Sequence, residues 1–323
     1  MSNQLVKEMK NHMKLPVIVA PMFLISNPKM VIEACTEGVI GTFPALNART
    51  GEELEEWMEQ IKEQLKEYKM NHPVEKVAPW GINFIAHSSN KRYEHDLKLI
   101  EKYEPPLVIT SLGDPSPVVE IVHAYGGIVF SDVINTHFAK KAIEKGSDGL
   151  VLVSSGAGGH GGTLNPIAFI NEVKKFFHGP IVLAGSISEG EDVLASEVMG
   201  ADFAYIGSKF IATNESSAEK DYKDMVIEAN INDILYTDAF SGIKGNYLIP
   251  SIKRAGLNPN NLETAKEINF DKMNKSDTKV WKDIWGAGQG VGMISKRQSL
   301  KEVIHELNIS YQKAINDIAS MKR

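Results

Sequence analysis

The sequence predicts an α/β fold, a (β/α)8 barrel with a mostly helical insertion after its eighth strand. Three observations carry that prediction. Short apolar runs rich in β-branched residues occur eight times, separated by segments with helical periodicity. The sixth, seventh and eighth of these runs end at serine and glycine, the small residues that ligand-binding strand ends need. After residue 213 the alternation stops, and a helical pattern resumes only beyond residue 286.

The eight runs are residues 17–22, 39–43, 80–85, 107–112, 128–133, 150–154, 181–185 and 203–208. Continuous apolar runs suit parallel strands that are covered on both faces. Between the second and third, Leu54, Trp57, Met58, Ile61, Leu65 and Tyr68 fall on one helical stripe. Asn165 and Pro166 read as an N-cap followed by proline at the first helical position. Ile167, Ile170, Val173 and Phe177 then supply the apolar face, and Gly179 the stop. Ser188 and Glu191 have capping-box spacing ahead of Val193, Leu194 and Val198, with Gly200 ending that helix. Strands and helices in this order fit a closed barrel and an open doubly wound sheet equally well. The strand ends favour the barrel.

Residues 214–285 are more polar and lack the alternation, which predicts a mostly helical segment covering the barrel mouth. The expected division is therefore residues 1–213 and 286–323 for the barrel and 214–285 for the cover. Ser299 and Glu302 repeat the capping-box spacing ahead of Leu300, Val303, Ile304, Leu307, Tyr311, Ile315 and Ile318, a stripe suited to the closing helix.

The net charge of -6, from 41 acidic and 35 basic residues in a chain of 323, offers no attraction to nucleic acid or anionic membranes. The single cysteine, Cys35, excludes an intramolecular disulfide and reads as a small buried residue on a helix. No signal-like apolar segment and no membrane-length apolar run is present, so a cytoplasmic location is the expectation. His87, His95, His123, His137 and His178 show no spacing with carboxylates that suggests a metal site, and His137 is expected in the first turn of a helix.

The most informative segment is Ser154-Ser155-Gly156-Ala157-Gly158-Gly159-His160-Gly161-Gly162, directly after the sixth strand. Consecutive glycines let backbone N–H groups approach a flat ligand closely, and barrels place their active sites at this end of the strands. Gly156, Gly158 and Gly161 also match the dinucleotide pattern G-x-G-x-x-G. That reading requires a helix at once and an acidic residue about 20 positions on. Here the helix waits until Pro166, and the expected acidic position falls at the apolar start of the seventh strand. The seventh and eighth strands end in Gly185-Ser186 and Gly207-Ser208, where a barrel commonly binds a phosphate monoester.

These segments resemble the nitronate monooxygenase family, once called 2-nitropropane dioxygenases. Gly156–Gly162 resembles its A-G-G-H-x-G signature, and Ala204–Ser216 its G-[TS]-[RK]-F-x-A-T-x-E-S stretch. Gly288-Gln289-Gly290-Val291-Gly292 is similar to its late G-Q-G-x-G segment, Ala20-Pro21-Met22 to the end of its first strand, and Gly81-Ile82-Asn83 to its third. The resemblance implies a TIM barrel with a helical substrate domain and non-covalent FMN. It implies that Ala20, Pro21, Met22 and Asn83 lie against the flavin ring, Asn83 through its amide. Ser155, Gly158, Gly159, Gly185, Ser186, Gly207 and Ser208 would hold the ribityl phosphate side, and Gln289 and Gly290 would close over the cofactor. His160 would be the catalytic residue at the reactive face.

In the family reaction an alkyl nitronate gives an electron to FMN, and oxygen adds to the substrate radical, so the partners implied are a small molecule and oxygen. A neutral imidazole at His160 would take the α-proton of a nitroalkane, and a charged one would steady a nitronate anion. Two departures bear on the substrate: the fourth strand ends Thr110-Ser111-Leu112-Gly113 without a histidine, and no glutamate precedes the Ala157 motif. Lys209 is a candidate to offset phosphate charge, Tyr205 is left between barrel interior and helix layer, and Trp281 and Trp285 are candidates to wall the pocket. The rival readings are an NAD(P)H-dependent flavin reductase of quinones or enoyl-acyl carrier protein, a flavin-free barrel lyase or isomerase, and a catalytically silent flavin-binding protein. The oligomeric state is left open, a homodimer being the assembly considered.

Overall fold

The computed structural model describes residues 2–240, 242–263 and 283–321. Eight parallel strands close into a barrel: β1 (Val17–Val19), β2 (Ile40–Pro44), β3 (Trp80–Ile85), β4 (Leu107–Ser111), β5 (Ile128–Val133), β6 (Gly149–Val153), β8 (Ile181–Ala184) and β9 (Phe203–Ile206). A two-residue strand, β7 (Gly159–His160), lies outside it. Closure is direct, with Val17, Ile18 and Val19 of β1 in register with Ala204, Tyr205 and Ile206 of β9. The sequence-predicted barrel is the observed architecture, and each of its eight runs overlaps one strand. Five of the runs overshoot at their C-terminal ends, most at 17–22, because Ala20-Pro21-Met22 leaves the sheet to enter the site loops.

The helices begin where side chains can satisfy their free N–H groups. Thr50 caps Gly51–Asn71, which buries Leu54, Met58, Ile61 and Leu65. Asn165 caps Pro166–Val173 by accepting from the amides of Ile167 and Ala168. That helix stops well before Gly179, whose added Cβ would stand 2.2 Å from the Phe177 ring, so the glycine serves close packing rather than the stop. The next helix, Gly190–Met199, carries its capping box on Glu189 and Asp192, one residue later than the predicted Ser188 and Glu191. Gly200 ends it in the left-handed conformation. Ser299 and Glu302 form the predicted box ahead of Leu300–Ser320, which buries Leu300, Val303, Ile304 and Leu307 and leaves Ile318 exposed. His137 lies in the first turn of Thr136–Glu144.

Three layers of packing result. Outward strand residues meet the surrounding helices in two apolar clusters, one holding Val31, Phe43 and Phe84, the other Leu150, Phe169 and Leu300. The barrel interior is a third cluster that includes Ile18, Ile40, Leu107, Phe130, Val151 and Phe203. Met9 and Met13, from the N-terminal helix Ser2–Asn11 and the turn after it, join this cluster and plug the tube's N-terminal end. Cys35 is fully buried on the helix Pro28–Thr36; burial pushes its thiol up to about 12, and it donates to Pro79 O.

The segment after β9 holds a helix, Lys220–Glu228, then an antiparallel hairpin of β10 (Ile234–Thr237) and β11 (Gly245–Leu248), then a short helix Ile249–Arg254. The hairpin was not anticipated. β11 continues onto β7, so the cover and the glycine-rich loop share one small sheet. Trp281 lies outside the described residues.

Candidate active site

Alternation along the strands decides what the barrel mouth presents. On β4 the inward residues run Leu107, Ile109, Ser111; on β5 they run Ile128, Phe130, Asp132; on β9 they run Phe203, Tyr205. Each series turns from apolar to polar at its C-terminal end. There a cavity of about 1530 Å³ opens, walled by the strand-end loops and by the cover. Tyr205 thus points into the barrel, which strand pattern alone left undecided.

Of the sequence-predicted site residues, Ala20, Pro21, Met22, Asn83, Gly158, Gly159, His160, Gly185, Ser186, Gly207, Ser208 and Gly290 all line this cavity. Two do not. Ser155 turns away because its amide is tied to Leu164 O on the far side of the loop. Gln289 is exposed; its amide donates to Gly156 O, and its side-chain oxygen stands 3.1 Å from where a Gly156 Cβ would be.

The glycine loop after β6 and the loop at 286–290 pack backbone to backbone. Gly288 N donates to Ser208 Oγ at 2.8 Å, and a Cβ on Gly158 would lie 2.8 Å from Gly288 N. Part of the glycine content is therefore required by loop-on-loop approach rather than by a ligand. Gly185 has φ +132°, and its Cβ would meet Ser154 Oγ at 2.4 Å and Ser155 O at 2.7 Å. Ser186 is held at φ 58°, an uncommon conformation for a serine. Its amide and that of Ser208 carry no hydrogen bond among the described residues, which suits an anionic oxygen lying between the two strand ends. Ser188 does not cap its helix; its hydroxyl donates to Gly290 O and ties the third loop to the same corner. Lys209 neither faces this corner nor stands in solvent: its Nζ is paired with Glu189 at 2.6 Å and donates to Met293 O.

His160 sits on β7 opposite Gly245. The cover fastens the same loop through Tyr236 Oη, which donates to Gly161 O, and through Asn246 Nδ2, which donates to Ala157 O at 2.6 Å. Burial pushes the imidazole down to about 4, so it is neutral at pH 7. That is the protonation state the first of the two roles left open by sequence requires. Asn83 spends its NH2 group inside the barrel, on Ile109 O and Ser111 Oγ, which leaves Oδ1 as its unpartnered atom among the described residues. Of the Asn83 amide, the oxygen is thus the atom left available toward the cavity. Trp285 lines the cavity, stacked on Tyr222 at 4.7 Å with the Arg254 guanidinium on its ring.

Sequence reasoning passed over Asp132, Ser111 and the hairpin. Asp132 occupied a run that reads as core, and only strand phase would have turned it inward. Among the described residues no three His, Cys, Asp or Glu side chains group in a way that could hold a metal ion, and no helix is long and apolar enough to cross a membrane.

A family model described as nitronate monooxygenase matches residues 5–309. The chain is 25% identical over 238 residues to a probable nitronate monooxygenase of Staphylococcus haemolyticus, covering 69% of this chain and 61% of that one. It is 24% identical to a probable nitronate monooxygenase of Bacillus subtilis, covering 90% of this chain and 94% of the relative. Among solved structures, a nitroalkane oxidase from Streptomyces ansochromogenes superposes with a TM-score of 0.79 at 19% identity, covering 95% and 99% of the two chains. FabK from Thermotoga maritima superposes with a TM-score of 0.77, also at 19% identity, covering 98% of each. At such identities the structural likeness speaks for the fold.

Proposed function

This chain belongs to the nitronate monooxygenase family, and on that premise we propose that it binds FMN at the barrel mouth and oxidises alkyl nitronates or nitroalkanes with oxygen to a carbonyl compound and nitrite. The observation that supports this most is the convergence of a neutral, half-buried His160 with Met22, Asn83 and the Gly185-Ser186 and Gly207-Ser208 corner on one cavity. The serine–glycine corner suits the cofactor's phosphate. Met22, whose Sδ lies 3.6 Å from where a Gly207 Cβ would stand, and Asn83 Oδ1 suit the ring. FMN would supply the electron-accepting chemistry.

The chain's own contribution is position and proton handling. His160 accepts the α-proton of a neutral nitroalkane on its free-base form, since a neutral imidazole has a lone pair to offer and no charge to hold an anion. The Trp285–Tyr222 stack and the loop at 286–290 keep water from the reacting carbon. Anaerobic titration of the purified protein tests the reading. Flavin absorbance bleached by an alkyl nitronate and unaffected by NADH or NADPH is the expected result. Full reduction by a nicotinamide with no response to nitronate would transfer the site to a flavin reductase, and a colourless protein that takes up no FMN would remove the flavin reading.

A further inference from the structure

Asp132 stands on the cavity floor at the end of β5, and the reaction proposed above gives it no task. Its Oδ2 accepts from Ser111 Oγ, which in turn accepts from Asn83 Nδ2 at 2.7 Å. Its Oδ1 is sealed from solvent and has no partner among the described residues. Across the barrel mouth, Tyr205 Oη is likewise buried and unpartnered, and near enough for the Asp132 charge to oppose its ionisation. The neighbouring strand β6 brings only Val151 and Val153 to the interior. On the outer side of β5, Ser131 meets the hydroxyls of Thr110 and Ser147, both neutral. Lys141 and Lys145 stand on the cavity wall, but Lys145 is paired with Asp114, and neither bears on the Asp132 carboxyl. His160 is neutral, and the wall's remaining charged residues, Arg49, Lys91, Arg92, Asp114, Glu144 and Glu219, do not bear on the Asp132 carboxyl either. No described cation offsets a charge at Asp132.

We infer that Asp132 sets the charge preference of the site: a planar anion seated in the cavity binds together with one proton, taken up by this carboxyl, whereas a neutral ligand of the same shape binds without it. This rests on the cavity being the substrate site. Burial has already lifted the carboxyl to about 6, against the weaker opposing effect of the Ser111 hydrogen bond. A ligand that covers the floor removes further water, and a negative one adds like-charge repulsion; both favour the protonated form. The parent protein is therefore built to take a neutral nitroalkane with an affinity independent of pH, and an anionic nitronate with an affinity that falls as pH rises above the carboxyl's titration. Protonated, Asp132 and Tyr205 are two neutral hydroxyls facing one another in an apolar tube, the arrangement that lets a buried carboxylic acid coexist with a nearby anion.

The test uses the FMN-loaded protein and two redox-inert probes of one shape, butyrate and butyramide. Binding is read by calorimetry in two buffers of different ionisation enthalpy, from about pH 5.5 to about pH 8.5, a range that brackets the titration. Butyrate affinity should fall by up to roughly tenfold per pH unit above the carboxyl's titration, with uptake approaching one proton, while butyramide stays flat. In Asp132→Asn, butyrate should lose its pH dependence and keep its low-pH affinity. Ser111→Ala removes the hydrogen bond that favours the carboxylate and should move the break to higher pH, which a purely structural role for Asp132 does not predict. Butyrate binding that is flat in the parent, absent even at the acid end, or still proton-linked in Asp132→Asn overturns the inference. Nitronate oxidation with proton-free butyrate binding removes this inference alone; proton-linked butyrate binding in a protein inert to nitronate removes the proposed reaction alone.

Discussion

At the N-terminal end of the barrel, Met9 and Met13 close the tube against Ile18, Leu107 and Phe203, an apolar and packed cluster. At the opposite ends of β4, β5 and β9, Ser111, Asp132 and Tyr205 face inward, and two of their oxygens are buried without partners among the described residues. Each such oxygen costs about 1–3 kcal/mol if nothing satisfies it. One end of the strands therefore supplies stability and the other spends some of it. The difference is one of side-chain chemistry alone, since backbone pairing runs unbroken through both.

Substitutions at the two ends should consequently separate activity from stability. The largest effect is expected at the mouth: His160→Asn should lower nitroalkane turnover by roughly 10²–10⁴-fold, the range for loss of a positioned base, with an unchanged melting temperature. Steady-state rates across pH check this, and full activity at every pH would exclude a catalytic His160. At the closed end, Met13→Ala should destabilise by about 2–4 kcal/mol through the cavity it leaves, while activity per folded molecule stays at the parent level. Urea unfolding monitored alongside turnover measures both, and a loss of activity without a loss of stability would contradict the division. The smallest effect concerns Asp132. Because burial raises its carboxyl, the folded chain keeps that proton to higher pH than the unfolded chain does. Its contribution to stability is full below the ordinary carboxylate range and is lost as pH rises toward about 6. Asp132→Asn should therefore gain on the parent by about 1–3 kcal/mol at pH near 8 and little at pH near 4. A gain of equal size at both pH values would point to packing instead of charge.

The comparison also shows which parts of the site were legible in advance. Ala20, Met22, the glycine loop with His160, and the Gly185-Ser186 and Gly207-Ser208 ends were readable because each is a short contiguous signal at the end of an apolar run. Ser155 and Gln289 fall outside the cavity lining for the complementary reason. They sit one residue from lining positions, and which residues of a loop line the cavity depends on where its amides are tied, here to Leu164 O and Gly156 O. Lys209 was read as a candidate phosphate-side cation because its partner Glu189 lies on a different loop.

Local chemistry determined a good deal of this protein from sequence alone. Apolar run length and spacing specified eight strands, and cap residues such as Asn165 and the Ser299–Glu302 pair specified where helices begin. Those signals act over a few residues, and the hydrogen bonds they satisfy are close in the chain. The tertiary structure alone decided that Asn83, Ser111 and Asp132 form one chain across three strands, that Tyr205 faces them, and that β11 of the cover pairs with the strand carrying His160. Each of these is a matter of strand phase and register, where a shift of one residue turns every side chain to the opposite face. Register is set by the closure of the whole barrel, and no short stretch of sequence carries it.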